Sequence, residues 1–380
     1  MAHQKHAKLK RPAIGFFHRI EWAILGAPCS RIDILIQELC ARLTPNVLMG
    51  YLDADHHATD LPTGLLHAGV AMAVTNKIDY YRWDIKQEPT AFESKQAFRK
   101  LELLLVNGNH FQAKKQILIL DERKFDSLQR KKDRLTDVAL ILTSPELNQL
   151  PDFLQDHLPD VADIPRLAFS DFDAIAEFLK QETIKQQATL KGLVLAGGKS
   201  QRMGTDKGEL VYHKEQTQQQ YLYELLQRFC PEVYLSCRPD QEERLQANFQ
   251  TLPDRFQGLG PFAAILSAFQ LDPDAAWLVV ACDLPFVDQE AIRQLIAQRD
   301  SAKNATAFHN PDSGFPEPLI TIWEPRVYPD LLHFLSLGYS CPRKVLINTD
   351  VHQIQANNPN WIKNVNTPEE LEQARLDLQK

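Results

Sequence analysis

Short apolar runs alternate with longer amphipathic stretches along both halves of this chain, and this alternation limits its fold more than any other feature. The apolar runs cover residues 23–25, 47–52, 101–106, 117–120 and 138–142 in the first half, and 192–196, 233–236, 277–282 and 306–308 in the second. The amphipathic stretches cover 32–43, 171–179, 220–229, 261–269 and 288–298. Buried strands that alternate with helices form doubly wound, mostly parallel sheets. We therefore predict an α/β fold with ligands bound beyond the carboxyl ends of the strands.

The chain is long enough for two domains, each with its own core. A polar joint over 180–191 separates the two α/β halves, and no internal repeat is found. We predict a flexible basic tail over 1–12, a first domain over 13–187 and a second domain over 188–380.

Composition excludes several classes of protein. No apolar run approaches the roughly 18 to 20 residues of a membrane span. The basic N-terminus is followed by a segment that Arg19 and Glu21 interrupt, so we expect no secretory signal and a cytoplasmic location. The net charge of −7 argues against a nucleic-acid-binding surface. The six cysteines form no CxxC pair, so we expect reduced thiols rather than a zinc or iron–sulfur site.

The strongest chemical signal lies at 192–210, with the sequence GLVLAGGKSQRMGTDKGEL. An apolar strand runs directly into Gly197 and Gly198, and a loop with Lys199, Arg202 and Lys207 follows. Glycines let backbone N–H groups approach phosphate oxygens, and the cations add positive charge. The loop matches neither a Walker A nor a GxGxxG pattern, so it indicates a phosphate-binding loop of another kind. A tight turn with a solvated basic face is the structural alternative.

The same loop resembles the signature of the molybdenum cofactor guanylyltransferase (MobA) family, LAGG-x-S-x-RMG-x-DK, with every fixed position filled. Three later segments resemble the family's motifs in order: DRFQGLGPFAAI (254–265), WLVVACDLPFV (277–287) and NVNTPEEL (364–371). The second segment departs from the family at Phe262 and Ala264, which stand where Leu and Gly are usual. The resemblance covers about residues 190–380 and implies a Rossmann-like nucleotidyltransferase fold.

The resemblance implies transfer of GMP from GTP to molybdopterin, with pyrophosphate leaving and Mg²⁺ as cofactor. Related cytidylyltransferases tend to carry Ala at the position of Gly197, which favours guanine here. Arg202 and Lys207 are implied to neutralise the triphosphate and to act in catalysis with Asp283. The residues implied to contact the nucleotide are Leu195, Ala196, Gly197, Gly198, Lys207, Arg238, Asp254, Gly260 and Asp283.

Two residues are predicted to hold the metal. Asp283 follows a buried strand, and Mg²⁺ needs only one or two carboxylates beside phosphates and waters. A helix cap is the structural alternative for Asp283. Asn366 resembles the family residue that helps to hold metal and phosphates, but an Asn also suits a turn. The next residues, Thr367 to Glu370, predict a capping box at a helix start.

Two further positions depart from the family. Arg238 stands where an Asn commonly contacts the nucleotide, so it either takes over this contact or the contact is lost. Glu317 stands where relatives more often carry a neutral polar residue. Because the pterin substrate is anionic, we expect the Glu317 carboxylate to point away from it.

Residues 13–180 resemble a degenerate relative of the MobB family, the P-loop partner protein of this pathway. Counted from Gly26 along a GxxxxGK[ST] loop, Arg31, Ile32 and Asp33 replace Gly, Lys and Ser/Thr. We predict a P-loop-like fold without nucleotide hydrolysis. The protein partners expected for this half are molybdoenzymes or upstream proteins that donate the cofactor.

Two alternatives to guanylyl transfer stay open. The same fold supports a cytidylyl- or sugar-phosphate nucleotidyltransferase, although LAGG argues against the first and NTPEEL against the second. A protein that binds nucleotide or cofactor without catalysis is the other alternative, and the intact Lys207 and Asp283 weigh against it.

Overall fold

The computed structural model describes residues 19–44, 47–54, 65–144, 150–196, 207–213, 216–256 and 258–378. They divide into two compact units, the first within Arg19–Gln186 and the second from Gln187 onward. No helix among these residues has the length and apolar character needed to cross a bilayer.

The first unit is built on a six-stranded sheet in which every pair is parallel. Its elements are β1 Ile20–Leu25, α1 Cys29–Leu43, β2 Met49–Leu52, β3 Met72–Asn76, β4 Tyr81–Ile85, α2 Ala91–Ala97, β5 Leu103–Asn107, β6 Lys115–Ile119, α3 Phe125–Arg130, β7 Val138–Thr143, α4 Asp152–His157, β8 Arg166–Ala168 and α5 Phe172–Lys185. The strand order is β2-β5-β1-β6-β7-β8, and β3 and β4 form a separate antiparallel hairpin.

Local sequence explains the central elements of this unit. All six residues of β1 are buried, as expected of a strand that has helices on both faces of its sheet. Helix α1 buries Ile32, Leu35, Ile36, Leu39 and Leu43, which recur at the spacing of one helix face.

The second unit is built on a seven-stranded sheet with the order β13-β12-β9-β14-β16-β15-β17. Its elements are β9 Leu190–Leu195, β10 Val211–His213, β11 Gln216–Thr217, α6 Gln218–Gln227, β12 Val233–Cys237, α7 Glu242–Leu245, β13 Thr251–Pro253, α8 Pro261–Leu271, β14 Ala276–Ala281, α9 Gln289–Ala297, β15 Ala305–Asn310, β16 Phe315–Trp323, α10 Tyr328–Ser336, α11 Pro342–Ile347, β17 Val351–Ile354 and α12 Pro368–Leu378. Only β16 runs antiparallel to its neighbours in this sheet.

Two core layers cover the two faces of the second sheet. Along β14, Leu278 and Val280 pack into one layer, and Trp277 and Val279 pack into the other. This alternation follows from the twofold period of a strand. The doubly wound, mostly parallel α/β class is therefore confirmed.

The nine predicted strands and five predicted helices all form. The polar joint is shorter than predicted, because α5 continues to Lys185 and β9 already begins at Leu190. The hairpin of β3 and β4 was not predicted, because most of its residues are exposed and no buried face marks it. Strand β16 was not predicted either.

Candidate functional site

The carboxyl edge of the second sheet contains a topological switch point between β9 and β14. The chain leaves β9 toward β12 and β13 on one side, and it later adds β14 on the other side of β9. Ligands of doubly wound sheets bind in the crevice that this reversal opens. The N–H of Cys282 donates to the carbonyl of Leu195 at 3.2 Å, so the ends of the two strands lie side by side.

Asp283 lies one residue beyond this contact. The N–H of Val365 donates to the Asp283 carbonyl at 2.9 Å, which brings the segment before α12 to the end of β14. Asp283 and Asn366 are therefore close neighbours, although 83 positions separate them along the chain. The tertiary structure thus brings the two predicted metal ligands to one place.

The segment after Asn366 is held by a capping box, as predicted. The N–H of Glu370 donates to Thr367 Oγ1 at 3.2 Å, and the N–H of Thr367 donates to Glu370 Oε2 at 3.1 Å. The N–H of Asn366 donates to the same Glu370 oxygen at 2.6 Å. The backbone on which Asn366 sits is thereby fixed at the start of α12.

The predicted phosphate loop lies mostly outside the described residues. Leu195 ends β9 at the switch point and Ala196 follows it, while Gly197, Gly198 and Arg202 fall in the part that is not described. Lys207 begins a short 3₁₀ turn, and only its backbone is described. A Cβ atom at Gly208 would lie 2.6 Å from Gln219 Oε1 and 3.2 Å from Ala196 Cβ. Glycine at 208 therefore lets the turn that carries Lys207 lie against the end of β9.

The predicted Asp254 follows β13 at the same edge. Its N–H donates to the carbonyl of Cys237, and Ser236 Oγ donates to Asp254 Oδ1 at 3.1 Å. Burial raises the pKa of Asp254 to about 6, although the hydrogen bond from Ser236 lowers it. The carboxylate is thus held at the end of β12 in a poorly solvated position.

Arg238 follows β12 and forms a local ion pair. Its Nε and Nη2 atoms donate to the two carboxylate oxygens of Asp240, at 3.1 and 3.2 Å. Ion pairs that are partly exposed contribute little free energy, so Arg238 can exchange Asp240 for a more highly charged anion at a small cost. The structure places Arg238 at the correct edge but leaves its contact with a nucleotide a prediction.

Gly260 is the N-cap residue of α8, directly before Pro261. Its φ of +57° lies in the region that L side chains rarely adopt, while a Cβ atom there would meet nothing within 4 Å. Glycine is therefore required by the backbone conformation of the turn and not by lack of space.

Glu317 on β16 is a buried carboxylate beside Asp283. Its side chain is 1% exposed and accepts hydrogen bonds at Oε2 from Arg343 at 3.0 Å and Asn310 at 3.4 Å. Burial raises the pKa of Glu317, Arg343 and Asn310 lower it, and the charge of Asp283 raises it again. The carboxylate is thus turned toward Arg343, a residue that sequence analysis missed because a lone Arg on a helix carries no distinguishing signal.

Tyr212 on β10 is a second residue that sequence analysis missed. Burial raises the pKa of Tyr212 to about 12, and the charge of Asp283 acts in the same direction. The neighbouring His213 binds the carbonyl of Pro285 through Nε2 at 3.0 Å and stacks on Tyr221. These aromatic residues pack the loop that follows Asp283.

The oxygen atoms at this edge fit a magnesium ion. Mg²⁺ prefers oxygen ligands and uses one or two carboxylates. Asn364 Oδ1 is buried and accepts no hydrogen bond within the described part of the chain, and Asn364 directly precedes the residue that binds Asp283. No group of three or more His, Cys, Asp or Glu side chains with metal-binding geometry occurs among the described residues. A site at Asp283 would therefore be completed by amide oxygens and by the phosphates of a substrate.

The degenerate loop of the first unit lies at the switch point between β1 and β6. Ile32, in the lysine position of a working P-loop, is fully buried in the core. Arg31 donates to Asp121 at 2.9 Å and its guanidinium lies over the ring of Phe169. Neither side chain is therefore positioned to bind a phosphate as the lysine of a working P-loop does.

Comparison with known proteins gives consistent matches in the C-terminal half. Residues 192–353 match the MobA-like NTP transferase domain family. A molybdenum cofactor biosynthesis bifunctional protein of Synechocystis sp. is 40% identical over 185 residues. The match covers 48% of this chain and 53% of the relative, so the chain spans about half of that protein's length. A probable molybdenum cofactor guanylyltransferase of Bacillus mycoides is 30% identical over 199 residues, which are 49% of this chain and 96% of the relative. The crystal structure of molybdopterin-guanine dinucleotide biosynthesis protein A from Archaeoglobus fulgidus matches with a TM-score of 0.43 and 23% identity, covering 50% of this chain and 98% of that chain.

Proposed function

Because this chain belongs through its C-terminal half to the molybdenum cofactor guanylyltransferase family, we propose that it transfers GMP from GTP to the terminal phosphate of molybdopterin. In this reaction a phosphate oxygen of the pterin forms a bond to the α-phosphorus of GTP. The bond from the α-phosphorus to the bridging oxygen breaks, and pyrophosphate leaves.

The observation that carries the proposal is the hydrogen bond from Val365 N–H to the Asp283 carbonyl at 2.9 Å. It joins the WLVVACDLPFV and NVNTPEEL motifs at the switch point, where the strand that leads into the glycine loop also ends. Motifs that are far apart in sequence thus share one ligand crevice.

Nucleotidyl transfer depends on positioning and on charge neutralisation more than on covalent chemistry by the protein. We assign neutralisation of the triphosphate to Arg202 and Lys207, and contacts to the nucleotide to the backbone at Leu195–Gly198. Arg238, Asp254 and Gly260 border the nucleotide at the ends of β12 and β13 and at the start of α8.

Asp283 and Asn366 would hold a magnesium ion, with Asn364 Oδ1 as a further oxygen ligand in reach of the same loop. Such an ion supplies positive charge to the phosphates and to the leaving group. Arg343 balances the negative charge of the Glu317 carboxylate and Asn310 donates to it, so this carboxylate repels the substrate phosphates only weakly.

For the remaining features, we place the domain boundary between 187 and 188 and treat the protein as a cytoplasmic enzyme. Residues 1–12 are proposed as a basic tail and lie outside the described residues. The first domain is proposed to dock molybdoenzymes or upstream proteins that donate the cofactor.

The experiment uses the full chain with molybdopterin, Mg²⁺ and either GTP or CTP, and it measures pyrophosphate release together with the dinucleotide product. We expect turnover with GTP and little with CTP. Asp283→Asn keeps the shape of the side chain but removes its charge, so we expect kcat/KM to fall by at least about 100-fold.

Asp350→Asn is the matched control. Asp350 is an exposed carboxylate of the same unit, and it precedes β17 at the amino edge of the sheet, opposite to the candidate site. The activity of the Asp350→Asn variant should stay within about twofold of that of the unmodified chain, as expected for a change at an exposed residue. Equal activity of both variants would remove Asp283 from the mechanism. A preference for CTP would favour the cytidylyltransferase alternative, and nucleotide binding without turnover would favour the non-catalytic one.

A further inference from the structure

A cavity of about 370 Å³ lies within the first unit, at the carboxyl edge of its parallel sheet. Gly26 and Cys29 line it after β1, Gly108 to His110 line it after β5, and Lys124 lines it after β6. The cavity therefore occupies the switch point between β1 and β6, the place where a doubly wound sheet binds ligands. Its volume is in the range of small-molecule sites.

A tight turn forms one wall of this cavity. Gly26 has a φ of +91°, and a Cβ atom there would lie 2.3 Å from the carbonyl oxygen of Ile119. The backbone after β1 is thus pressed against the end of β6, and α1 begins three residues later at Cys29. Because α1 has 15 residues, its amino end contributes a positive potential to the cavity.

The opposite wall is cationic. Lys124, Lys131 and Arg134 line the cavity, and the described lining residues include no carboxylate. The chain as a whole has a net charge of −7, so this concentration of positive charge is local. Arg134 donates through Nη1 to the carbonyl of Asn109 at 2.9 Å, which holds its guanidinium beside the loop after β5.

The acid that follows β6, Asp121, is bound by residues that do not line the cavity. Asp121 is buried, and its carboxylate accepts hydrogen bonds from Arg31 at 2.9 Å and from Arg123 at 2.7 Å. Neither arginine lines the cavity. The charge of Asp121 is therefore balanced by Arg31 and Arg123, and Lys124 and Lys131 keep their positive charges at the cavity wall.

We propose that this cavity binds a phosphate-bearing small molecule, whose phosphate is held by Lys124, Lys131 and Arg134 near the start of α1. A phosphate carries up to two negative charges, which matches three cations better than a carboxylate would. The loop position that carries lysine in a working P-loop is Ile32, which is buried, so the cations come from the wall around α3 instead. This site is independent of the reaction proposed for the second unit.

Cys29 provides a local reporter of occupancy. Its thiol is exposed, lines the cavity and lies 3.5 Å from His110 Nε2. Cys341 is an exposed cysteine of the second unit and serves as the internal control. The experiment measures alkylation of both cysteines in the full chain by iodoacetamide, resolved by peptide mass spectrometry.

The probes are GMP, ribose 5-phosphate, inorganic phosphate and guanosine, each from about 10 μM to about 10 mM. A phosphate-bearing probe at about four times its Kd occupies about 80% of the sites and should slow alkylation of Cys29 about fivefold, while Cys341 is unchanged. Guanosine should not protect Cys29. Protection by GMP at lower concentration than by ribose 5-phosphate identifies a nucleotide ligand, and equal protection identifies recognition of the phosphate alone.

Two charge-reversal variants distinguish binding in the cavity from a general effect of net charge. In Lys131→Glu the concentration that gives half-protection should rise about tenfold or more, because an attraction becomes a repulsion in a partly enclosed site. Lys132→Glu changes the net charge equally at the next residue, which does not line the cavity, and should shift this concentration less than about twofold. Absence of protection by every phosphate-bearing probe, or equal shifts in the two variants, would overturn the proposal.

Discussion

Replacing Arg343 with methionine removes the positive partner of Glu317, whose side chain is only 1% exposed. The chain then keeps a buried carboxylate whose remaining donors are Asn310 Nδ2, at 3.4 Å, and the backbone N–H of Leu319. Loss of one partner of a buried ion pair costs about 3–5 kcal/mol. Because Arg343 itself is 35% exposed and solvent screens the pair, we expect the lower end, about 3 kcal/mol.

The loss should depend on pH. Burial already raises the pKa of Glu317 from 4.5, and removal of Arg343, which lowers it, raises this pKa further. Above the ordinary pKa of a glutamate, the folded variant then keeps a proton on Glu317 that the unfolded chain releases. The variant therefore loses stability as pH rises. Relative to the unmodified chain, the loss should grow by about 1–2 kcal/mol between pH 5 and pH 7.

Hydrogen exchange resolved by peptides measures this effect in the full chain. A loss of about 3 kcal/mol should speed exchange of the slowest amides in β14 and β16 by roughly 100-fold, after correction for intrinsic rates. Amides of β1 in the first unit serve as the internal reference.

Lys303→Met is the matched control. Lys303 pairs with Asp350 at 3.0 Å, the distance between Arg343 and Glu317, but the Asp350 side chain is 68% exposed. Removal of such a surface partner should cost less than about 1 kcal/mol. Equal effects of the two variants, or an Arg343→Met effect that does not change with pH, would refute the reasoning from burial.

Two other predictions use the same measurement. Burial raises the pKa of Asp254 to about 6 from 3.8, so the folded chain binds more protons, and this residue should remove about 1 kcal/mol of stability between pH 5 and pH 7. Asp254→Asn should abolish this part of the pH dependence of stability. An unchanged pH dependence of hydrogen exchange in β12 and β13 would contradict the prediction. Gly26→Ala should destabilise the first unit by at least about 2 kcal/mol, because the new Cβ meets the Ile119 carbonyl. Gly69→Ala, at a φ of +105° in open space, should cost only about 1 kcal/mol for its backbone conformation, and equal costs would exclude the steric cause.

Local patterns were sufficient for most strands and helices of both sheets. Central strands such as β14 are apolar along their whole length because helices cover both faces, and this leaves a continuous run in the sequence. The capping box at Thr367 was predictable for a similar reason, since its partners lie three positions apart. Strand β16 was missed because Glu317 and two prolines interrupt its apolar pattern.

The candidate site was predicted in part. Motif order indicated that Asp283, Asp254 and Asn366 belong to one site, and the structure brings them to one edge of the sheet. The partners of Glu317 could not be predicted, because Arg343 lies 26 positions away and its approach depends on how α11 packs against β16. No local pattern encodes that packing.

The sequence alone determined the α/β class, the alternation of elements and the family of the C-terminal half, because hydrophobic period, turn residues and motifs are properties of neighbouring residues. Only the tertiary structure decided the antiparallel direction of β16, the contact of Val365 with Asp283 and the cationic cavity of the first unit. Each of these depends on strand order and on crossovers that bring distant segments together. Contacts of that kind are selected by the packing of the whole sheet, and adjacent residues do not specify them.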